Sequence, residues 1–241
     1  MLTLAIETTG FKASVALGDH ETGTIFEMTS EEELNHLKDL VSMIDTLMNE
    51  NGFCAEDIGC IAASEGPGSF TGIRIGVATA RALAQAWGIK TLGVPTLAAF
   101  AHNLPDYRGI VCPVFDARRQ QVYSGVYFLN AEGDTETIVA AGAWELEELF
   151  SAINDKTTRE IMFFGDGLAA YGDTIKEWGI GSFAPEEDRF QKASSIIRSA
   201  FILLKKGEAY DYSRLMPVYL RKAEAQRKLE LRLHEYNRHD K

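Results

Sequence analysis

The residues with the most chemistry to offer lie between 66 and 87, in GPGSFTGIRIGVATARALAQAW. Gly66-Pro67-Gly68 can take backbone angles closed to most residues. Ser69 or Thr71 is placed to cap a following helix by accepting from its first free N–H groups, and a helix start of this kind attracts anions. No Gly-Lys-Ser/Thr follows the glycines, so the segment is not a Walker loop and supplies no lysine for the outer phosphates of a nucleotide. Beyond the loop, Gly76, Ala78, Ala80, Ala82, Ala84 and Ala86 leave little side chain in the way of a neighbouring backbone. The segment therefore offers two jobs, a phosphate cradle and a packing surface.

The other reactive side chains are dispersed. The five histidines (His20, His36, His102, His234 and His239) include no i, i+4 pair that would set two imidazoles on one helix face, so no metal site is expected. Ser64, Ser69 and Thr71 sit near the glycine loop, but no GxSxG elbow exists and no histidine is placed to serve as base, so no catalytic residue is expected. Cys54, Cys60 and Cys112 make an odd count without a CxxC pair, which points to reduced thiols.

The elements that must position these residues read as follows. Leu2, Leu4 and Ile6 fall on one face of a first strand. Val15 and Leu17, then Ile25 and Phe26, mark two more, with turns at Thr8-Thr9-Gly10 and Gly18-Asp19-His20, as in an antiparallel meander. A helix over residues 32–50 carries a stripe of Leu34, Leu37, Val41, Ile44 and Met48. Leu40 and Leu47 widen that stripe beyond what one core-facing side requires, and Met43 lies largely off it. A buried strand at 58–63 leads into the glycine loop and small-residue helix, then a short strand at 91–94 and a short helix at 96–102. Residues 103–109 read as a linker. After it the theme restarts, with strands at 110–115, 121–128 and 135–140, a helix near 144–153, a strand at 161–164, a helix after Gly165-Asp166-Gly167 and another at 194–205. A meander, a helix, a strand and a helix, written twice, is the α/β order of two ribonuclease-H-like halves. The expected divisions are 1–104, 105–213 and a basic tail at 214–241.

A chain of 241 residues, 46% hydrophobic and 24% charged, is ordinary for a soluble globular protein. No apolar run is long enough to span a bilayer, and the start MLTLAIETTG lacks the features of a signal peptide, so a cytoplasmic protein away from membranes is expected. The net charge of −11 is uneven: residues 214–241 hold eight Lys/Arg against four Asp/Glu, leaving −15 on the remainder. An acidic body repels nucleic acid phosphates. The tail reads either as a solvated terminal helix or as a contact for RNA or an acidic protein face.

GPGSFTGIR followed by the Ala-rich helix resembles the signature of the TsaB (YeaZ) family, part of the bacterial machinery that places threonylcarbamoyl on the adenosine beside the anticodon of certain tRNAs. LTLAIETTGFKASVALG at 2–18 resembles the family's opening strands, Asp116-Ala117-Arg118 with Val122-Tyr123 its DAR…VY segment, and PVYLR at 217–221 its close. The likeness covers nearly the whole chain. It implies the actin-like ATPase (ASKHA) fold with a shortened second half. Kinases and ATPases of that fold hold a hydrated metal with a carboxylate at the end of the first strand, and wrap phosphates with an acidic, glycine-rich turn at the start of the second half. Here the first position is Glu7, where a shorter aspartate is common. The second is Asp116-Ala117-Arg118, which has no glycine to let N–H groups close around a phosphate. The expectation is a vestigial cleft at Glu7, Thr8, Ser69, Thr71, Asp116 and Arg118. Arg118 would either pair with Asp116 or Glu7 and fill it, the favoured reading, or bind a phosphate. Gly165-Asp166-Gly167 resembles an adenosine-side turn but reads equally as a strand-to-helix turn capped by Asp166.

The HxxxH pair that marks the catalytic relative, TsaD, is absent. The role implied is a non-catalytic scaffold that binds and stabilises a TsaD-type subunit, helps recruit a TsaE-type ATPase, self-pairs as a homodimer when alone, uses no cofactor and meets tRNA only indirectly. The expected partner surface is Leu37, Val41, Ile44 and Met48 from the first helix with Ile73, Val77 and Arg81 from the second. The rival readings are an ATP-dependent phosphotransferase working with magnesium through Glu7, Asp116 and Arg118, and a peptidase acting on its partner.

Overall fold

The structure, a computed structural model, describes residues 1–30, 36–131 and 133–221, and of residues 36–38 the backbone alone. The first half contains β1 (Leu2–Glu7), β2 (Ser14–Asp19), β3 (Ile25–Thr29), α1 (His36–Glu50), β4 (Ile58–Gly66), α2 (Phe70–Trp87), β5 (Lys90–Pro95) and α3 (Thr96–Ala99). The second contains β6 (Ile110–Asp116), β7 (Gln121–Leu129), β8 (Thr135–Glu145), α4 (Leu146–Asn154), β9 (Ile161–Phe164), α5 (Leu168–Trp178), β10 (Ser182–Phe183) and α6 (Ala193–Lys205).

The two five-stranded sheets share one topology. Their orders are β3-β2-β1-β4-β5 and, read from the matching edge, β8-β7-β6-β9-β10. In each, the first strand pairs antiparallel with the second and parallel with the fourth. The duplicated meander expected from the apolar pattern is present, and the fold is the actin-like ATPase fold. The second sheet closes on a two-residue strand, β10, which is too short to show in the sequence pattern.

Strand alternation decides what packs where. Leu4, Ile6, Val15 and Leu17 face a core shared with α1 and α2, while Ala5, Ala16, Cys60 and Ala62 face the opposite side. In the second sheet, Cys112, Val114 and Val122 face α4 and α5, and Val111, Phe115 and Phe164 face α3. The layers therefore run α1/α2, first sheet, α6 with α3, second sheet, α4/α5.

That layering departs from the expected division at 105–213. Helix α6 is late in the chain yet covers the first sheet: Ala193, Ile196, Ile197 and Ala200 pack on Ala5, Ala16 and Leu92. Its start is pinned there by Ser14 Oγ, which accepts from Ala193 N at 2.9 Å, and by Glu27, which accepts from Ser194 N at 2.9 Å. The alanine side of the first sheet needs a cover, and only a helix with small residues at its contact points can approach it closely. The first half is thus completed by residues after the second.

Candidate functional site

A cleft of about 850 Å³ opens between the two halves, lined among others by Thr9, Ser69, Asp116, Arg118 and Tyr219. Three of the six residues expected at a vestigial phosphate site do not line it, and Ser69 and Asp116, which do, already hold hydrogen bonds. Glu7, at the end of β1, is fully buried and does not line the cleft. Its carboxylate accepts from Thr9 N at 2.5 Å and Thr9 Oγ1 at 2.6 Å. Burial pushes its pKa above the ordinary 4.5, and the two Thr9 bonds pull the other way. Thr8 is buried too, and its Oγ1 donates to Gly72 O at 2.7 Å, tying the first turn of α2 to the end of β1. Thr71 is exposed on α2 and off the cleft.

Ser69 does what its position predicted. It is the N-cap of α2 and accepts from Gly72 N at 3.2 Å. Helix α2 comes close because Gly72 and Gly76 carry no side chain: a Cβ at Gly72 would lie 1.8 Å from Thr8 O, and one at Gly76 2.3 Å from Thr8 Oγ1. The glycines of this segment therefore serve close packing of α2 on Thr8 and Ile6, while Glu7 is covered from the opposite face by Thr96, Phe100, Lys192 and Ser195.

The second-half turn is organised differently. Asp116 is exposed at the end of β6 and accepts from Arg118 N at 2.7 Å. Arg118, Arg119 and Gln120 have φ of 61°, 58° and 62°. Glycine is thus not needed for the left-handed backbone here. What a phosphate would find is a donor already claimed by Asp116. The guanidinium of Arg118 forms no ion pair with Asp116 or Glu7 among the described residues, so the expected filling of the cleft by that pair is not what the structure has. Asp166 is not a cap either, since the N-cap of α5 is Gly167. Its Oδ1 is buried with no hydrogen-bond partner among the described residues, and burial raises its pKa. Glu7 sealed, Asp116 engaged and no lysine lining the cleft among the described residues do not fit a metal-bound triphosphate.

No hydrolytic dyad forms around the glycine loop. Ser64 Oγ is buried 2.5 Å from Thr96 Oγ1, and Ser69 is the helix cap. His102 lies at the junction of the halves against Thr135, where burial lowers its pKa to about 4.

The expected partner surface is largely core. Ile44, Met48, Ile73 and Val77 are buried in this chain's own first half, as are Leu40, Met43 and Leu47. The wide stripe on α1 is absorbed because α1 sits in the angle between the meander and α2 and meets apolar neighbours on two sides. Leu34 and the side chain of Leu37 lie outside the described residues. Val41 is 61% exposed, and Arg81 is half-buried beside Met216. On α2, Thr71, Ala78, Ala82, Gln85 and Ala86 form the exposed face, with Ile75 half-buried among them.

One functional segment escaped the sequence reading. Residues 216–221 run across the mouth of the cleft from one half to the other. Val218 N donates to Glu65 O at 2.7 Å, and Arg74 Nε donates to Tyr219 Oη at 2.8 Å in the first half. In the second, Leu220 packs on the cluster between the sheets and Arg221 donates to Ala117 O at 3.1 Å and to Gln121. PVYLR entered the sequence reading only as a family-like ending, and no turn or periodicity reveals a strap.

This geometry can be set beside known proteins. The family model described as TsaD, tRNA N6-adenosine threonylcarbamoyltransferase, matches residues 27–229. The tRNA threonylcarbamoyladenosine biosynthesis protein TsaB of Bacillus subtilis is 31% identical, over 95% of this chain and 97% of its own length. The chain belongs to the TsaB (YeaZ) family. The Escherichia coli protein TsaB is 29% identical, over 95% of this chain and 98% of its own length. Among solved structures, YeaZ from Pseudomonas aeruginosa superposes with a TM-score of 0.78 at 25% identity, over 91% of this chain and 99% of that one.

Proposed function

We propose that this TsaB-family chain is a non-catalytic scaffold in tRNA threonylcarbamoyladenosine formation. It binds and stabilises a TsaD-type catalytic subunit, helps recruit a TsaE-type ATPase, and pairs with itself when that subunit is absent. Its relatives in Bacillus subtilis and Escherichia coli are named for that biosynthesis. The observation that carries the reading is the outer face of α2. Thr71, Ala78, Ala82 and Ala86 stand exposed over four turns, a mostly small-residue face that a partner helix can approach between Ile75 and Gln85. Beside it on the same layer, Val41 is a large aliphatic side chain left 61% exposed. The cleft supports the same reading by its poor match to a metal-bound nucleotide.

The test is capture of a TsaD-type partner by the full chain, with size-exclusion and light scattering for the assembly. Ala82→Glu and Val41→Asp place charge in the proposed contact without touching the core, and each is expected to weaken capture at least about tenfold, since an unpaired charge in a dry interface costs several kcal/mol. Ile44→Asp is not a useful probe, because that side chain is core. Undiminished capture by both exposed variants would place the interface on another surface. Fragments of the partner after incubation would instead support the peptidase reading.

A further inference from the structure

We propose that the edge of α2 next to the C-terminal strap is a direct RNA-contact strip, built by arginines laid on exposed rings. The strip starts at the helix N-terminus. The Arg74 guanidinium lies 3.8 Å from the centre of the Phe70 ring and 5.7 Å from that of Tyr219, and Phe70 and Tyr219 are themselves 5.0 Å apart and tilted. Two turns further along, Arg81 Nη1 reaches Met216 Sδ at 3.4 Å. Beyond that, in the 3-10 turn Tyr212–Arg214, Arg214 lies 5.1 Å over the ring of Tyr210.

The spacing is set by the backbones. Arg74 and Arg81 are seven helical residues apart, about 10 Å of rise. Their strap partners Tyr219 and Met216 are three residues apart, about 10 Å of extended chain. The strap thus runs antiparallel to α2 in step with its turns, and the arginines emerge in a row.

The row is free of acid. Neither α2 nor residues 212–221 contain an Asp or Glu, and together they hold four arginines. At the chain's average of 35 acids in 241 residues, those 28 positions would carry about 4. No ion pair among the described residues involves Arg74, Arg81 or Arg214. Among the described residues, Asp211, just before Arg214, accepts from Ser213 N and Oγ at 2.9 and 2.6 Å, and Glu65, whose carbonyl holds the strap, is half-buried with a pKa raised by burial. In a body of net −11 this is a local reversal of sign.

Charge alone would suit any acidic partner. The rings make the choice. Phe70 and Tyr219 each stay 39% exposed, and a single guanidinium, that of Arg74, holds both, stacked on Phe70 and donating to the Tyr219 hydroxyl. Planar faces beside fixed cations are what unstacked bases and their phosphates bind, and RNA recognition uses both. The strip also lies off the small-residue face. On a helical wheel Phe70, Arg74 and Arg81 fall about 80° from the centre of the Ala78–Ala82 face, so a protein docked there leaves the arginine edge at its rim. The expectation that tRNA is met only indirectly is replaced by one of direct but weak contact.

The inference rests on the threonylcarbamoyladenosine reading only for its choice of probe. The experiment is fluorescence anisotropy of the full chain with an unmodified tRNA anticodon stem-loop, alone and with a TsaD-type partner, across a salt series. The double variant Arg74→Glu/Arg214→Glu is expected to weaken RNA binding more than about tenfold and to lower the slope of log affinity on log salt by about 1.4 to 1.8, the release expected from two phosphate contacts. Capture of the partner should be unchanged. Arg74→Lys/Arg214→Lys keeps the charge and controls for folding, and Phe70→Leu with Tyr219→Leu should weaken binding with the salt slope intact, as loss of stacking requires. Wild-type RNA affinity in the Glu variant overturns the proposal, as does loss of partner capture with RNA binding retained, which makes the strip a protein contact. Failure of wild-type capture with the RNA effects present would sink the scaffold reading and leave this one standing.

Discussion

Glu7 and Asp116 occupy matching places, each at the end of the first strand of its half, and their surroundings are opposite. Glu7 is sealed on the α3/α6 side of the first sheet and bonded to Thr9, whereas Asp116 is open to the cleft and bonded to the backbone of its own hairpin. In the first half Thr96, Phe100, Lys192 and Ser195 close around the carboxylate, and on the other face glycine at two successive turns of α2 lets that helix clamp the neighbouring Thr8. In the second the strand end is left exposed, and the hairpin satisfies the carboxylate itself. A strand-end carboxylate becomes a metal or phosphate site only if it is both accessible and uncommitted. The first half fails both conditions, the second only the latter.

The sharpest way to break this comparison is to deny α2 its close approach. Gly72→Ala would put Cβ 1.8 Å from a backbone oxygen that cannot rotate away. The helix must shift, and the expected loss is about 3 kcal/mol, the upper part of the range for overpacking. In the second half, Gly172 of α5 is the control. A Cβ there meets only the Phe183 ring at 3.3 Å, and the gain of helix propensity from Gly to Ala, about 1 kcal/mol, offsets the crowding. Urea denaturation of the two variants should differ by about 3 kcal/mol. Equal midpoints would mean that α2 is not pressed onto Thr8 at the end of β1.

Next in size is the sealed carboxylate. Glu7→Ala leaves Thr9 N–H and its hydroxyl without their acceptor and should cost about 1–3 kcal/mol. Glu7→Gln keeps an acceptor and should cost less. The two differ further with pH. Because burial raises the pKa of Glu7 above 4.5, the folded protein holds that proton more tightly than the unfolded chain. Its contribution to stability is therefore full below 4.5 and declines as pH rises through the raised folded value. Relative to wild type, Glu7→Gln should gain stability across that window. A pH-independent difference would show that Glu7 is no more protonated folded than unfolded. Asp116→Asn, at an exposed position, is expected within about 0.5 kcal/mol of wild type at neutral pH.

The contrast between these two turns marks where the sequence was legible. Alternation at Leu2, Leu4 and Ile6 and at Val15 and Leu17 gave the meander and its buried face, and Ser69 gave the start of α2, because period and cap chemistry are local. The exposure of Glu7 was not local. It depends on Thr96, Phe100, Lys192 and Ser195, far along the chain, which close around its carboxylate. The same applies to α1, where Leu40 and Leu47 suggested a surplus of apolar side chains that neighbours on two sides then covered. Helix α6 was recognised as a helix, but nothing in its own residues says which of two similar sheets it will cover. The strap was legible only through its likeness to a known ending, since an extended segment held by Arg74 and Gln121 carries no period of its own.

The smallest effect concerns the hairpin after Asp116, and it separates conformation from chemistry there. If the missing glycine were what keeps phosphate from this turn, then supplying it should create a site. Three consecutive non-glycine residues at φ near 60° cost on the order of 1 kcal/mol each. Arg118→Gly removes one such cost, and the greater freedom of glycine in the unfolded chain cancels part of the gain. The net expectation is a stabilisation of about 0.5 kcal/mol, read as a small rise in denaturation midpoint. Asp116 still accepts from the amide at 118 in that variant, so calorimetry with magnesium-ATP should show no binding. Micromolar binding in Arg118→Gly alone would mean that side-chain bulk at 118 was the obstacle. Binding that needs Asp116→Ala as well would mean that the carboxylate, standing where a phosphate oxygen would stand, was the one thing holding the turn closed to anions.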